Sequence, residues 1–149
     1  MDYKFVNRQV YDTIAEQFEE RTKDYLQEYL IRDAESFLSS LSGSRILDLG
    51  SGPGRDSKFF LGRGQKPLCL DISIEMIRRC RAKGLDGVVG DLEQLPFGSH
   101  SFDGVWAYTS LLHVPKRNFF NTLQQIRGIL KSNGIFYLGM KAGDFEGWV

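Results

Sequence analysis

The stretch RILDLGSGPGRDSKFF, Arg45 to Phe60, constrains the fold more than any other part of this chain. Ile46-Leu47-Asp48-Leu49 is a short apolar run of the kind that forms a buried strand, and from Arg55 onward Phe59 and Phe60 fall on one face of a helix. Gly50, Gly52 and Gly54 stand between the two. A strand, a glycine turn and a helix N-terminus in succession make a place where a ligand meets the backbone, and they open a parallel α/β sheet.

The rest of the chain continues that alternation. Val10, Ile14, Ala15 and Phe18 predict a helix over 7–20; Leu26, Leu30, Phe37, Leu38 and Leu41 predict a second over 24–41, closed by Gly43 as the residue past its end. Strands are then expected at 45–49, 67–71, 87–90, 102–107 and 135–140, with helices at 55–62, 73–83 and 115–130. Ser73 is a good N-cap, Arg78, Arg79, Arg81 and Lys83 suit a helix C-terminal half, and Phe119, Phe120, Leu123, Ile126 and Leu130 make the apolar face of the last helix. This is the pattern of an α/β fold: a doubly wound, mostly parallel sheet of about five strands behind two N-terminal helices. One domain is expected over 1–149, with 1–43 as the helices and 44–149 as the core.

Composition narrows the partners. The chain has 149 residues, enough for one core, and 19 Lys plus Arg balance 19 Asp plus Glu. Zero net charge argues against nucleic-acid binding, which needs a basic surplus, and the arginines of the 73–83 helix read as a solvated helix end. Cys69 and Cys80 read as reduced core thiols, which implies a cytoplasmic protein. MDYKFVNRQVYD has no apolar h-region, and no apolar run reaches membrane-spanning length, so no membrane partner is expected.

Three ligands compete for the glycine turn. A phosphate loop needs G-x-x-x-x-G-K-[ST], which is absent. A dinucleotide needs G-x-G-x-x-G/A; here Arg55 stands at the sixth position, and Pro53 removes an N–H donor from the turn. Asp71 lies at the distance expected of a ribose-binding carboxylate, but that suits any ribose ligand. The third candidate is S-adenosylmethionine, which has a ribose and adenine, no pyrophosphate, and an amino-acid end with an ammonium group. Asp48 offers that ammonium a carboxylate, directly or through water.

At these residues the chain resembles a known family. ILDLGSGPG resembles motif I of the class I S-adenosylmethionine-dependent methyltransferases; LCLDIS with Met76 resembles their second motif; GDLEQLPFGSHSFDGVWA resembles their third and fourth strands. SLLHV resembles the loop after strand four, and GILKSNGIFYLGMK resembles the strand-five hairpin of the small-molecule enzymes. The match runs over about residues 7–141. It implies a Rossmann-like fold, S-adenosylmethionine as cofactor with S-adenosylhomocysteine as product, and no metal.

The resemblance also implies roles. Gly50, Ser51 and Gly52 would pass their backbone along the methionine part, and Asp71 would hold both ribose hydroxyls. Ile72 and Met76 would pack on the adenine faces; Asp91 would accept from the adenine amino group while the Leu92 N–H reaches a ring nitrogen. Ala107 and Tyr108 would border the methionine and the methyl group. His113 would face the acceptor, and Tyr11 resembles a lid tyrosine over the cofactor. His113 is the first candidate for a general base and Tyr108 the second, a base being needed only when the acceptor arrives protonated. Each has a plainer alternative: His113 could bond a backbone carbonyl, Tyr11 could be a helix-packing aromatic, Asp71 a cap beside Ser73, Asp91 a turn residue. Asp103, at the start of strand four, reads as structural.

A-Y-T-S after strand four is not [DN]-P-P-[YF], no cysteine lies near the site, and no Asp-Asn pair follows that strand. These absences turn the reading from DNA-base methylation and metal-assisted catechol chemistry to a small-molecule acceptor. The alternatives are a non-catalytic or regulatory relic and an NAD-dependent oxidoreductase. The family has a seven-stranded sheet whose last two strands flank strand five; KAGDFEGWV is too short for them. The expectation is therefore either a fragment of a longer protein or a homodimer joined through the strand-five edge.

Overall fold

The computed structural model describes residues 2–147. Met1, Trp148 and Val149, within the expected domain bounds, lie outside them. Five strands form one sheet: β1 (Arg45–Leu49), β2 (Lys66–Asp71), β3 (Asp86–Val89), β4 (Phe102–Tyr108) and β5 (Leu130–Gly139), in the order β3-β2-β1-β4-β5. Every ladder is parallel. Helix α3 (Arg55–Gly62) crosses from β1 to β2, α4 (Ile74–Ala82) from β2 to β3, and α5 (Lys116–Ile129) from β4 to β5. The chain winds outward from β1 to β3 and then returns to the other side of β1 with β4. The ends of β1 and β4 part at that reversal, which is where an open sheet holds its ligand.

Period-two alternation sorts β1 between two cores. Ile46 packs with Phe37, Phe60 and Trp106, while Leu47 and Leu49 pack with Ile126 and Ile129 of α5. Asp48 shares the Ile46 face, so its side chain points toward α3, where Ser57 donates to its Oδ2 at 2.7 Å. Cys69 and Cys80 are buried free thiols in a third cluster with Ile77 and Leu85, as expected.

The N-terminal region departs from expectation in detail. Helix α1 runs Tyr3–Thr22, with Asp2 as its cap. The second expected helix divides into a π-helical turn, Leu26–Leu30, and α2 (Ile31–Ser40). Val10 and Phe120, assigned to apolar faces, are 47% and 71% exposed, because α1 and α5 each bury a narrower stripe than the pattern suggested. Gly43 does not close a helix in left-handed backbone. A Cβ there would lie 2.4 Å from Oδ1 of Asp103, so Gly43 is small to admit a carboxylate that accepts from Arg45 N at 3.0 Å. That contact confirms the structural role of Asp103.

Strand β5 starts at Leu130, not Ile135. Its register against β4 jumps between Phe102↔Leu130 and Gly104↔Ile135, and Asn133 takes a left-handed φ of 65° at the jump. Within GILKSNGIFYLGMK, Leu130–Gly139 is thus one kinked strand and not a hairpin, with Gly128 and Ile129 closing α5. Among the described residues no helix is long and apolar enough to cross a membrane.

Candidate functional site

A cavity of about 240 Å³ opens over the carboxyl ends of β1, β2 and β4, under α1. Its floor is the glycine turn. Gly50, Gly52 and Gly54 all have positive φ, and at Gly50 the requirement is twofold: φ is 71°, and a Cβ would fall 2.2 Å from Cβ of Ser110. Ser110 in turn donates from Oγ to the Leu49 carbonyl, so the end of β1 and the loop after β4 are stitched together behind the turn.

The N–H groups of the turn are all satisfied within the protein. Gly50 and Ser51 both donate to the Leu70 carbonyl, at 2.8 and 3.0 Å, and Gly54 donates to Ser51 O at 3.2 Å. Gly52 donates to Oδ2 of Asp71 at 2.9 Å, and Pro53 has no N–H. A pyrophosphate would find no free donor there. The acids lining the cavity are Asp48, Asp56, Asp71, Asp91 and Glu93, against the cations Lys4, Arg55 and Lys141. Even with the deeply buried Asp48 left out, four acids against three cations suit a ligand carrying positive charge.

At the adenosine end, Asp71 closes β2. Its Oδ1 accepts from Ser73 N at 2.9 Å while Oδ2 takes Gly52, and acceptor capacity remains on both oxygens. Burial raises its pKa, with these N–H groups pulling the other way. Ile72 and the buried Met76 make an apolar wall. Asp91 accepts from Glu93 N at 2.8 Å and from Lys4 Nζ at 2.6 Å, and Leu92 follows it. Burial pushes the Asp48 carboxyl well up, and Cys69 and Asp56 add to the shift.

At the other end stand Tyr108, at the tip of β4, and His113, on a short 3-10 turn, Leu111–His113. His113 Nε2 and the Tyr11 hydroxyl lie 2.8 Å apart. Burial lowers the His113 pKa, so the imidazole is neutral at pH 7, and burial raises that of Tyr108, which stays a phenol. Tyr11 is therefore bonded to the candidate base and is no plain packing aromatic.

Twelve of the thirteen residues singled out from sequence line this cavity: Tyr11, Asp48, Gly50, Ser51, Gly52, Asp71, Ile72, Met76, Asp91, Leu92, Tyr108 and His113. Ala107 does not. Its side chain is fully buried on the α5 face of β4, in the core with Val105, since alternation sends Tyr108 to the cavity and Ala107 away from it.

The roof was not legible. Tyr3 donates to Glu93, Lys4 pairs with Asp91, Asp12 Oδ1 accepts from Ser73 Oγ at 2.6 Å, and Glu19 pairs with Arg79 and Lys83. These contacts span 60 to 90 residues of sequence, and only the acid–base content of α1 hints at them. Arg55, Tyr25 and Lys141 also line the cavity unforeseen.

The comparisons agree with the geometry. The family model described as "Methyltransferase domain" matches residues 47–138. Malonyl-[acyl-carrier protein] O-methyltransferase of Herminiimonas arsenicoxydans is 35% identical over 91 residues, covering 60% of this chain and 35% of that protein. Sarcosine/dimethylglycine N-methyltransferase of Aphanothece halophytica is 32% identical over 104 residues, covering 64% and 37%. The chain thus spans well under half the length of these curated relatives. Among solved structures, a DhpI–SAH complex superposes with a TM-score of 0.73 at 23% identity, covering 87% of this chain and 65% of that one. The Burkholderia thailandensis 1,6-didemethyltoxoflavin-N1-methyltransferase does so at 0.66 and 22%, covering 87% and 59%. These two likenesses bear on the fold. With the family model covering more than half of its residues, this chain belongs to the methyltransferase-domain family, the class I S-adenosylmethionine-dependent methyltransferases.

Proposed function

We propose that this chain binds S-adenosylmethionine in the cavity and transfers its methyl group to a small-molecule acceptor. The observation that carries the reading is the glycine turn without a free backbone donor, facing a wall richer in acids than in cations. Bound there, the cofactor supplies a methyl group on a positively charged sulfur that an acceptor lone pair can take in line.

The chain's own residues then have defined tasks. Asp71 holds the ribose hydroxyls with the acceptor capacity that Gly52 and Ser73 leave free. Ile72 and Met76 flank the adenine, and Asp91 receives its amino group beside Lys4. Asp48 lies under the methionine end. The α1 roof excludes water and holds the two partners at reacting distance, which is worth on the order of 7–11 kcal/mol. Neutral His113 can accept a proton from an acceptor that brings one, once Tyr11 yields Nε2 or through Nδ1; Tyr108, a phenol at neutral pH, shapes the wall instead. The relatives' names include both O- and N-methyl transfer, to malonyl-acyl-carrier protein and to sarcosine or dimethylglycine.

Calorimetric titration with S-adenosylmethionine, S-adenosylhomocysteine and NAD tests the reading. The expected result is saturable binding of the first two and none of NAD. Binding of NAD alone would make the chain an oxidoreductase. Binding of the methyl donor with no turnover on any acceptor panel would favour a regulatory domain.

A further inference from the structure

The end of the cavity beside Tyr108 holds two cations, Arg55 and Lys141, and the methyl donor brings only one carboxylate to share between them. Arg55 heads α3, and its side chain is 18% exposed. Its Nε donates to Asp56 Oδ1 at 2.7 Å and its Nη2 to Asp56 Oδ2 at 3.2 Å, while Nη1 donates to the Thr22 carbonyl at 3.1 Å. A guanidinium has five N–H groups in a rigid plane, so one on Nη1 and one on Nη2 remain. The group is fixed before any ligand arrives. Asp56 is 5% exposed, and its Oδ2 also accepts from the Trp106 indole at 2.8 Å, so the carboxylate that aims Arg55 is itself held by the core. The Tyr25 and Tyr108 rings lie 5.7 and 5.9 Å from the guanidinium carbon.

Lys141 adds to this. It follows β5, two residues beyond Gly139, which pairs with Tyr108 in the ladder. It lines the same cavity and has no ion pair among the described residues. Arg55 is balanced by Asp56, and burial favours the neutral form of the nearby Asp48, so Lys141 is the cation left over at this end. Asp71, Asp91 and Glu93 lie at the opposite end. The cavity is polarised, with acid at the adenosine end and base at the mouth beside Tyr108.

We propose that the acceptor carries a carboxylate, and that Arg55, steered by Asp56 and seconded by Lys141, docks it beside Tyr108; this rests on the methyl-transfer reading above. Arginine's planar fork matches a carboxylate in two parallel bonds, which a lysine cannot reproduce. Two kinds of acceptor share this chemistry. In one, the carboxylate oxygen takes the methyl group: an O–C bond forms, the sulfur keeps the electron pair of the broken S–C bond, and no proton moves. In the other, the carboxylate is a handle for a neighbouring amine, which forms the new bond from its lone pair and afterwards loses one proton.

The test uses the protein saturated with S-adenosylhomocysteine, whose own binding is measured first. Monomethyl malonate and dimethyl malonate form one pair of calorimetric probes, sarcosine and sarcosinamide the other. The carboxylates should bind at least tenfold more tightly than their counterparts. Arg55→Lys keeps the charge beside Asp56 and so preserves the fold, but it should weaken the carboxylates about tenfold; Lys141→Gln, at an exposed position, should weaken them about threefold. Affinity for S-adenosylhomocysteine should hold within about twofold in both. With S-adenosylmethionine in place of S-adenosylhomocysteine, turnover to dimethyl malonate or to dimethylglycine then tells the ester from the amine. Equal binding of a carboxylate and its counterpart, or unchanged binding in Arg55→Lys, overturns the proposal and leaves Arg55 as a tie between α1 and α3. Loss of S-adenosylhomocysteine but not of 5′-methylthioadenosine in Arg55→Lys also overturns it, placing the fork on the cofactor's own carboxylate. Failure of the unaltered protein to bind S-adenosylhomocysteine refutes the cofactor reading itself.

Discussion

The two ends of the cavity are positioned by different means. At the adenosine end, backbone N–H groups near in sequence or on the glycine turn hold both carboxylates, Asp71 through Ser73 and Gly52 and Asp91 through Glu93, and Lys4 of α1 adds a distant partner to Asp91. At the acceptor end, Arg55 takes its pose from Asp56 beside it, Thr22 of α1 and Trp106 of β4, and lies near Tyr108 of the same strand and Tyr25 of a further segment. The backbone anchors of the first end need only strands, turns and a cap, with α1 adding Lys4 and Asp12 from above. The second exists only once the N-terminal helices have docked on the sheet. Recognition of a cofactor common to a family can be written locally, whereas a pocket for one acceptor is assembled from distant pieces.

Changes to the shared floor should be felt most. Gly50→Ala places a side chain on left-handed backbone, at about 1–2 kcal/mol, and drives it into Ser110, adding about 1–3 kcal/mol. The thermal midpoint should fall by roughly 10 °C, read by circular dichroism. A shift of under about 2 °C would mean that the turn can relax and is less rigid than its hydrogen bonds imply.

Next in size is the adenosine end alone. Asp71→Ala should weaken S-adenosylhomocysteine at least about tenfold, since hydrogen bonds to a charged group are worth about 1.5–3 kcal/mol. Carboxylate binding at the acceptor end should follow only so far as cofactor occupancy falls. The pH dependence has a definite sign. Burial raises the folded pKa of Asp71, so the ionised form that grips the ribose is lost as pH falls through that raised value. Affinity should therefore begin to drop at a higher pH than an exposed aspartate would give, and Asp71→Asn should flatten the profile. An unshifted profile in the natural protein would separate Asp71 from the ribose.

Asp91→Asn should cost about 1 kcal/mol, or about fivefold in affinity, because an amide can set a donor against the adenine amino group and also gives up the charge of the Lys4 pair. S-inosylhomocysteine, with a carbonyl in place of the amino group, should bind the natural protein more weakly than S-adenosylhomocysteine; equal binding would remove Asp91 from adenine recognition.

Tyr11→Phe is the smallest, because it touches only the link between roof and base. In the tautomer with Nε2 unprotonated, the hydroxyl donates and favours neutral imidazole, so its loss should raise the His113 pKa while burial still holds it below the ordinary value. Histidine resonances followed by NMR titration report this directly. Affinity for S-adenosylhomocysteine should change by less than about threefold, and a larger loss would make Tyr11 a cofactor contact in its own right.

Much of the fold was legible because its signals are short-range. Arg45 to Phe60 named strand, turn and helix within sixteen consecutive residues, and β1 and α3 fall where that reading placed them. Asp71 followed from its distance to the turn and Ser73 from capping chemistry. Alternation along β4 could have excluded Ala107, because adjacent residues of a strand face opposite ways and Tyr108 was already assigned to the cavity. Arg55 was read only as an interruption of a glycine pattern, and Lys4, Tyr25 and Lys141 carried no pattern at all.

The local chain by itself determined where the backbone turns, that Asp71 and Asp91 are held by nearby backbone N–H groups, and that Pro53 removes a donor a pyrophosphate would use. These depend on φ preferences, on proline's missing N–H and on hydrogen bonds between near neighbours, all of which act over a few residues. The tertiary structure alone decided that α1 roofs the cavity, that Lys4 reaches Asp91 across 87 residues, and that Asp56 and Trp106 aim Arg55 at the mouth. Those contacts arise when separate apolar faces bury against one sheet, and burial is blind to sequence distance, so the polar groups carried along with those faces meet partners that no local pattern specifies.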